Sequence, residues 1–359
     1  MDNNTKVSTP TANNDTSTNQ HQSVADYMPD LLQRILSGAR PPAISTGFPQ
    51  LDSALGGGLY PGLYTIGAIS SLGKTTLMCQ IADQIAVGGR DVLIFSLEMG
   101  EDEIIAKSIS RLSAVYKNLE GKNPGNVNVP RTVTVRELLN NPGIKGEKAL
   151  LDHLFGAYRR AGNHIYIYEG KGDISVKDVY NIVEEHIQRM NRNPVVVIDY
   201  IQILAPYDAK FSTDKQHIDK TILELKRLSR DFDLAVIGIS SLNRMSYNDK
   251  VSMSAYKESG AIEYSSDVLI GLQLLGVGEP GFDVEQAKQQ DPRKIELVVL
   301  KNRNGPIGPM SPMYFYPRWN YFTEIPVENM NLSTLTSTPL CTLFLNNQLQ
   351  LTIQNWQEQ

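Results

Sequence analysis

Lys74 and Thr75 close the run "GAISSLGKT" (67–75), whose glycine–lysine–threonine ending is that of a phosphate-binding loop. In such a loop backbone N–H groups surround the phosphates. The lysine ammonium reaches the β- and γ-phosphates, and the hydroxyl after it ligates Mg²⁺. The binding residues would be Ala68, Ser70, Ser71, Gly73, Lys74, Thr75 and Thr76. One position is irregular. Counting back from Lys74, the first glycine of the pattern falls on Ala68, and the glycine stands one residue early, at Gly67. That position needs a small residue more than glycine itself, so alanine is admissible. A glycine-rich turn with a fortuitous lysine has the same letters.

Two carboxylates could complete a hydrolytic site. "VVVIDY" (195–200) is an apolar strand ending in Asp199, the form of a Walker B strand whose acid holds Mg²⁺ through water. A strand-end aspartate capping a turn reads the same way. Tyr200 follows, not glutamate, which disfavours a base placed directly after that acid. Glu98, ending the apolar run 91–97, is the alternative. On a strand next to the phosphate-loop strand it would lie near the γ-phosphate and orient water. A solvated glutamate near a helix start is the other reading. Lys301 and Arg303, two apart at the end of 294–301, project to one side if the extended geometry continues. They form either a solvated rim or a clamp for an anion.

These residues need elements to hold them. Apolar runs at 63–68, 91–97, 164–169, 194–199, 234–240, 267–275 and 294–301 predict strands, and 74–87, 101–112, 175–192 and 215–231 predict helices. Near-continuous apolar strands alternating with helices imply an α/β fold, a mostly parallel sheet covered on both faces. The last strands, joined by loops alone, predict an antiparallel extension. The phosphate loop falls where strand 63–68 ends and helix 74–87 begins, the setting it requires. The stretch 113–163 is the hardest to read.

Composition bounds the rest. The chain has 359 residues, 41% of them apolar and 20% charged, as expected of a soluble globular protein. Its net charge of -5 gives no general attraction for nucleic acid, so any such binding must be local. Cys79 and Cys341 show neither metal spacing nor a disulfide pattern, which suggests a reduced, cytoplasmic compartment. No apolar run is long enough to span a membrane, and the start has no signal-peptide pattern. Residues 1–26 are almost wholly polar and predict a disordered tail. Within 27–43, Leu31, Leu32, Ile35 and Leu36 share a face and predict a linker helix that docks on its own domain or on a neighbouring subunit.

"TGFPQLDSALGGGLYPGLYTIGAISSLGKTT", "FSLEMG", "VIDYIQIL", "ISSLNR", "KESGAIEYSSDVL" and "LKNRNGPIG" follow one another along the chain. In this order they resemble the C-terminal ATPase domain of DnaB-type replicative helicases. The resemblance covers residues 44–325 and leaves 326–359 as a C-terminal extension. It implies a RecA-like P-loop NTPase fold and a hexameric ring. It also implies ATP and Mg²⁺ as cofactors, and ATP-driven translocation on single-stranded DNA in replication. On it, Lys74 and Thr75 are the phosphate and Mg²⁺ residues, Glu98 the catalytic carboxylate and Asp199 the Walker B acid. Lys257, Glu258 and Gly260 would follow the DNA backbone. Lys301 and Arg303 would reach the neighbouring subunit's nucleotide.

The departures matter as well. Ser241 stands where the family usually carries glutamine, a residue the resemblance assigns to relaying the γ-phosphate's state to the DNA loops. Lys257 replaces an arginine, keeping the charge but not the bidentate fork. A polar tail stands where full replicative helicases carry a helical primase-binding domain. This implies a stand-alone motor of a mobile element or a segment of a longer primase–helicase, with a primase or loader as further partner. In a ring only the pore need be basic. The candidate loops are 207–217, with Lys210 and Lys215, and 244–257, with Arg244, Lys250 and Lys257; Tyr247 and Tyr256 are candidates for stacking on bases. Three readings stay open: a helicase, a RecA-fold ATPase that assembles without unwinding, and a DNA-binding or loading partner with broken coupling.

Overall fold

The seven apolar runs become seven strands of one sheet. The structure, a computed structural model, describes residues 23–38, 42–119, 131–170, 174–204, 213–243, 247–256 and 260–324. Residues 1–22, Lys210, Arg244, Lys257, Glu258 and the extension 326–359 with Cys341 lie outside the described residues.

The strands are β1 (Gly62–Ala68), β2 (Val92–Ser96), β3 (Ile165–Glu169), β4 (Val195–Asp199), β5 (Ala235–Ser241), β6 (Val268–Leu274), β7 (Arg293–Asn302), β8 (Gly308–Pro309), β9 (Met313–Tyr316) and β10 (Tyr321–Glu324). Their order is β10-β9-β7-β6-β1-β5-β4-β2-β3, with β8 beside β7. From β6 through β3 every pairing is parallel, and from β7 through β10 every pairing is antiparallel. Every residue of β1, β2, β4 and β6 is buried, as a sheet covered on both faces requires. In β7 burial alternates over Ile295–Val299, so there the sheet is closed on one face only.

The helices are α1 (Val24–Leu36), α2 (Pro49–Ala54), α3 (Lys74–Val87), α4 (Glu101–Leu119), α5 (Val135–Asn140), α6 (Lys148–Gly162), α7 (Val176–Met190), α8 (Asp214–Asp231), α9 (Gly260–Ser265) and α10 (Val284–Lys288). α1 belongs to a unit of its own, Met1–Pro42, separate from Ala43–Gln359. It begins at Val24 rather than Tyr27, because Ser23 and Asp26 form a capping box that starts the helix inside the polar stretch.

α3 is buried from Thr76 to Val87, wholly inside the protein. The β9–β10 hairpin holds it. Gln80 Nε2 donates to the Phe322 carbonyl (2.9 Å), and the Phe322 amide donates back to Gln80 Oε1 (2.9 Å). Buried Arg111 of α4 pairs with Asp83 of α3 and donates to the Asn320 carbonyl (3.1 Å). Among its described residues the hard-to-read stretch is mostly helical: α4 runs on to Leu119, and α5 and α6 lie further along it. Ile109, Leu112, Tyr116, Val133, Ile144, Leu150 and Leu154 form a satellite core there. Arg131 ties it by pairing with Glu137 (2.8 Å) and Glu147 (2.6 Å).

Candidate active site

The turn between β1 and α3 is shaped by two left-handed residues, Ser71 (φ 64°) and Gly73 (φ 93°). Gly73 is the N-cap and offers no side chain to the helix, so the first-turn N–H groups are left for a ligand. A Cβ on Gly73 would come within 2.8–2.9 Å of the stacked rings of Phe315 and Phe322, which form the floor of the loop. Lys74 turns back into the loop, donating from Nζ to the carbonyls of Ala68 (2.9 Å) and Ile69 (3.2 Å). Burial holds its ammonium below the usual lysine range, against the opposing pull of Asp199 and Glu98. A half-buried cation whose partners are backbone carbonyls is a receptor for an anion.

Asp199 ends β4 and is 1% exposed. Burial raises its carboxyl above the usual range, while a hydrogen bond with Thr75 works the other way. Its Oδ2 is buried with no hydrogen-bond partner. A buried carboxylate with an unsatisfied oxygen, in the neighbourhood of the loop threonine, suits a hydrated divalent cation, so the donor set fits Mg²⁺.

Glu98 is exposed in the bend after β2. The expectation that its strand adjoins the phosphate-loop strand is wrong. β1 lies between β5 and β6, and both β5 and β4 separate it from β2, a span of about 14 Å at ordinary strand spacing. The bend carries Glu98 past the end of β2, on the side where β4 ends in Asp199. The Leu97 amide donates to the Asp199 carbonyl (2.8 Å), Ser96 Oγ donates to the Met99 carbonyl (2.6 Å), and the charge of Glu98 is felt at Lys74 and Asp199.

Comparison with known proteins fixes the relationship. The sequence profile described as DnaB-like helicase C terminal domain matches residues 43–324. The chain belongs to this family. It is 26% identical over 286 residues to replicative DNA helicase DnaC of Bacillus subtilis (strain 168), covering 79% of this chain and 56% of that protein. The same identity and coverage hold for replicative DNA helicase DnaB of Geobacillus stearothermophilus. The chain thus spans a little over half the length of these curated relatives. Among solved structures, an isolated ATPase domain superposes with a TM-score of 0.66 at 21% identity, over 86% of this chain and all of that one (100%). A DnaB-like replicative helicase, solved with its interactions with primase, gives the same score and identity over 86% of this chain and 68% of its own. The RecA-like fold is thereby established.

In this DnaB-like domain Lys301 and Arg303 do converge. Lys301 Nζ donates to the carbonyls of Glu263 (2.6 Å) and Tyr264 (3.1 Å), and Arg303 Nη2 to that of Tyr264 (3.0 Å). Arg303 Nε also lies 3.6 Å from Asp267. They stand at the other end of the sheet from their own phosphate loop. Asn302 is level with Val268 and Val268 with Tyr64, four residues and about 13 Å before Ala68. Neither side chain can serve its own loop.

Of the candidate DNA-loop residues, Gly260 is the exposed first residue of α9, and Lys215 and Lys250 are exposed. Tyr256 is corrected: it is 3% exposed, with its hydroxyl donating to the Ile270 carbonyl (2.8 Å), so it cannot stack on a base. Tyr247 sits at the phosphate loop, where the Ser70 amide reaches its hydroxyl (3.4 Å). Arg293, which sequence reasoning missed, donates from Nη1 to the Ser71 carbonyl (2.8 Å) and lies over the Phe315 ring. Its one sequence signal is a cation opening the strand that leads to Lys301 and Arg303.

Proposed function

We propose that this domain is an ATP-dependent DNA helicase motor. It would hydrolyse ATP between adjacent subunits of a ring, a hexamer by family analogy, while moving along single-stranded DNA. The observation that carries the reading is the division of the machinery between two ends of one sheet. Lys74, Thr75, Asp199 and Glu98 gather at one end, and Lys301 and Arg303 at the other. A cation pair that cannot reach its own loop is useful when a second copy presents it to the phosphates.

Each residue has a role in this reading. Lys74 leaves the Ala68 and Ile69 carbonyls for the β- and γ-phosphates, exchanging neutral acceptors for charged ones. Mg²⁺, held by Thr75 and through water by Asp199, would neutralise charge on the phosphate oxygens. Glu98 is free to orient water and accept its proton, and Tyr200 leaves no rival base after Asp199. Arg303 from the adjoining subunit supplies positive charge as the γ-phosphate departs. Arg244, Lys257, Glu258 and Gly260 supply the DNA contacts, with a primase or loader as further partner in the cytoplasm.

A forked duplex with ATP and Mg²⁺ tests the proposal. Strand displacement that needs ATP, with hydrolysis stimulated by single-stranded DNA, supports it. Stimulated hydrolysis without displacement would leave an assembling ATPase, and DNA binding without turnover would leave a loading partner.

A further inference from the structure

The displaced glycine of the phosphate loop has a structural reason that points past nucleotide binding. Gly67 and Gly271 are register partners on β1 and β6, so the sheet carries a two-residue gap in its side-chain layer, one residue before Ala68. The segment 251–256 fills it. A Cβ on Gly67 would lie 2.2 Å from the Tyr256 hydroxyl, and one on Gly271 would lie 2.5 Å from the Val251 methyls. The Tyr256 hydroxyl donates to the Ile270 carbonyl (2.8 Å), beside the register shift between β6 and β7, and packs directly against Gly67. Backbone bonds close the clamp: the Leu242 amide donates to the Ala68 carbonyl (3.3 Å) and that of Asn243 to the Ala255 carbonyl (3.0 Å).

An aliphatic side chain with alanine at 67 would fill the same space without a polar group. A buried phenol anchored to a backbone carbonyl specifies position as well as volume. Its position is informative on both sides. Ala68, whose carbonyl accepts from Lys74, directly follows Gly67. Lys257, the first residue of the proposed DNA segment, directly follows Tyr256.

We infer that Tyr256 is a positioning residue that couples the nucleotide state of the phosphate loop to the DNA segment beginning at Lys257; this rests on the function proposed above. The switch is the Lys74 ammonium, which donates to the Ala68 and Ile69 carbonyls and must leave them to meet a phosphate. The strand end it releases, Gly67–Ala68, is the one that Tyr256 and Leu242 hold. Coupling of this kind is reciprocal: nucleotide changes DNA affinity by the same factor as DNA changes nucleotide affinity.

The test measures affinity for a fluorescent oligothymidylate with and without a non-hydrolysable ATP analogue, alongside basal ATP turnover and the thermal midpoint. In Tyr256→Phe the ring still fills the gap, so basal turnover and midpoint should hold. The ratio of the two DNA affinities should move toward one by about two- to thirty-fold, the range by which mutations along such networks change coupling. The Gly67→Ala, Tyr256→Leu double variant refills the gap with an alanine methyl and should lose the ratio in the same way. It decides the matter if Tyr256→Phe fails to fold. A wild-type ratio kept in either folded variant overturns the inference alone. A wild-type protein whose DNA affinity ignores the analogue and whose turnover ignores DNA overturns the inference together with the proposed function.

Discussion

Ser96 and Asp199 are register partners across β2 and β4, so the bend carrying Glu98 leaves the sheet beside the Walker B acid. The carboxylate proposed as general base thus leaves its strand beside the end of β4, although that strand is far from β1. Glu98→Gln should bind ATP normally and hydrolyse it about 10²-fold more slowly or worse, the usual scale for loss of a general base. Parallel titrations of nucleotide binding and turnover check this. Equal loss in both would make Glu98 structural.

Lys74→Ala should abolish hydrolysis and leave the fold intact. Its ammonium donates to the Ala68 and Ile69 carbonyls, and the core does not depend on it. Circular dichroism and a thermal midpoint near wild type, with no turnover, are the expected pair of results. Turnover in a folded variant would move the active site elsewhere.

Arg303→Ala should assemble and bind ATP yet hydrolyse it poorly, since an arginine finger contributes about 10³–10⁵ in other nucleotide hydrolases. Its exposed ion pair with Asp267 contributes under about 1 kcal/mol, so stability should hardly change. Mixed with Glu98→Gln, it should regain some turnover, because intact Glu98 of one subunit can meet intact Arg303 of the next. Mixed assemblies without recovery would count against a shared site.

Acid should destabilise the fold through a cluster far from this chemistry. Asp91, wholly buried, accepts from Arg192 Nε (2.8 Å) and is hydrogen-bonded to His164 Nδ1 (2.7 Å) and His186 Nε2 (3.1 Å). Burial holds the His186 ring below its usual range, so the fold favours neutral histidine. That contribution is present above the ordinary value of about 6.5 and is lost as pH falls below it. Asp91 is also held below its usual range: burial opposes this, but the two histidines and Arg192 outweigh it. Its contribution is present above about pH 4 and is lost as pH falls through the folded value. Both slopes have one sign, so the thermal midpoint should fall steadily from about pH 6.5 downward. Asp91→Asn should cost about 3 kcal/mol by stranding its partners.

The parallel sheet and its helices were legible because each central strand is a near-continuous apolar run and the helices that cover the sheet have a polar face. The phosphate loop, Asp199 and Glu98 were legible as local patterns. What escaped depends on distant partners. β9 and β10 are short and aromatic, and only their pairing makes them strands. Arg293 gains meaning from Ser71, 222 positions away. Tyr256 reads as a surface tyrosine until Gly67 is seen beneath it. Glu98 reads as a strand-end carboxylate, but which strand lies beside its own is not written in any one segment.

The floor of the phosphate loop is among the last parts of the domain to be synthesised. Gln80 and Phe322, which bond each other in both directions, are 242 positions apart. At ordinary translation speeds of about 5–20 residues per second, the loop leaves the ribosome on the order of ten to fifty seconds before Phe315 and Phe322 can underlie Gly73. For that interval the nascent chain carries the whole phosphate-binding motif without its support. A chain broken off ahead of Met313 would carry the loop sequence complete and its aromatic floor missing.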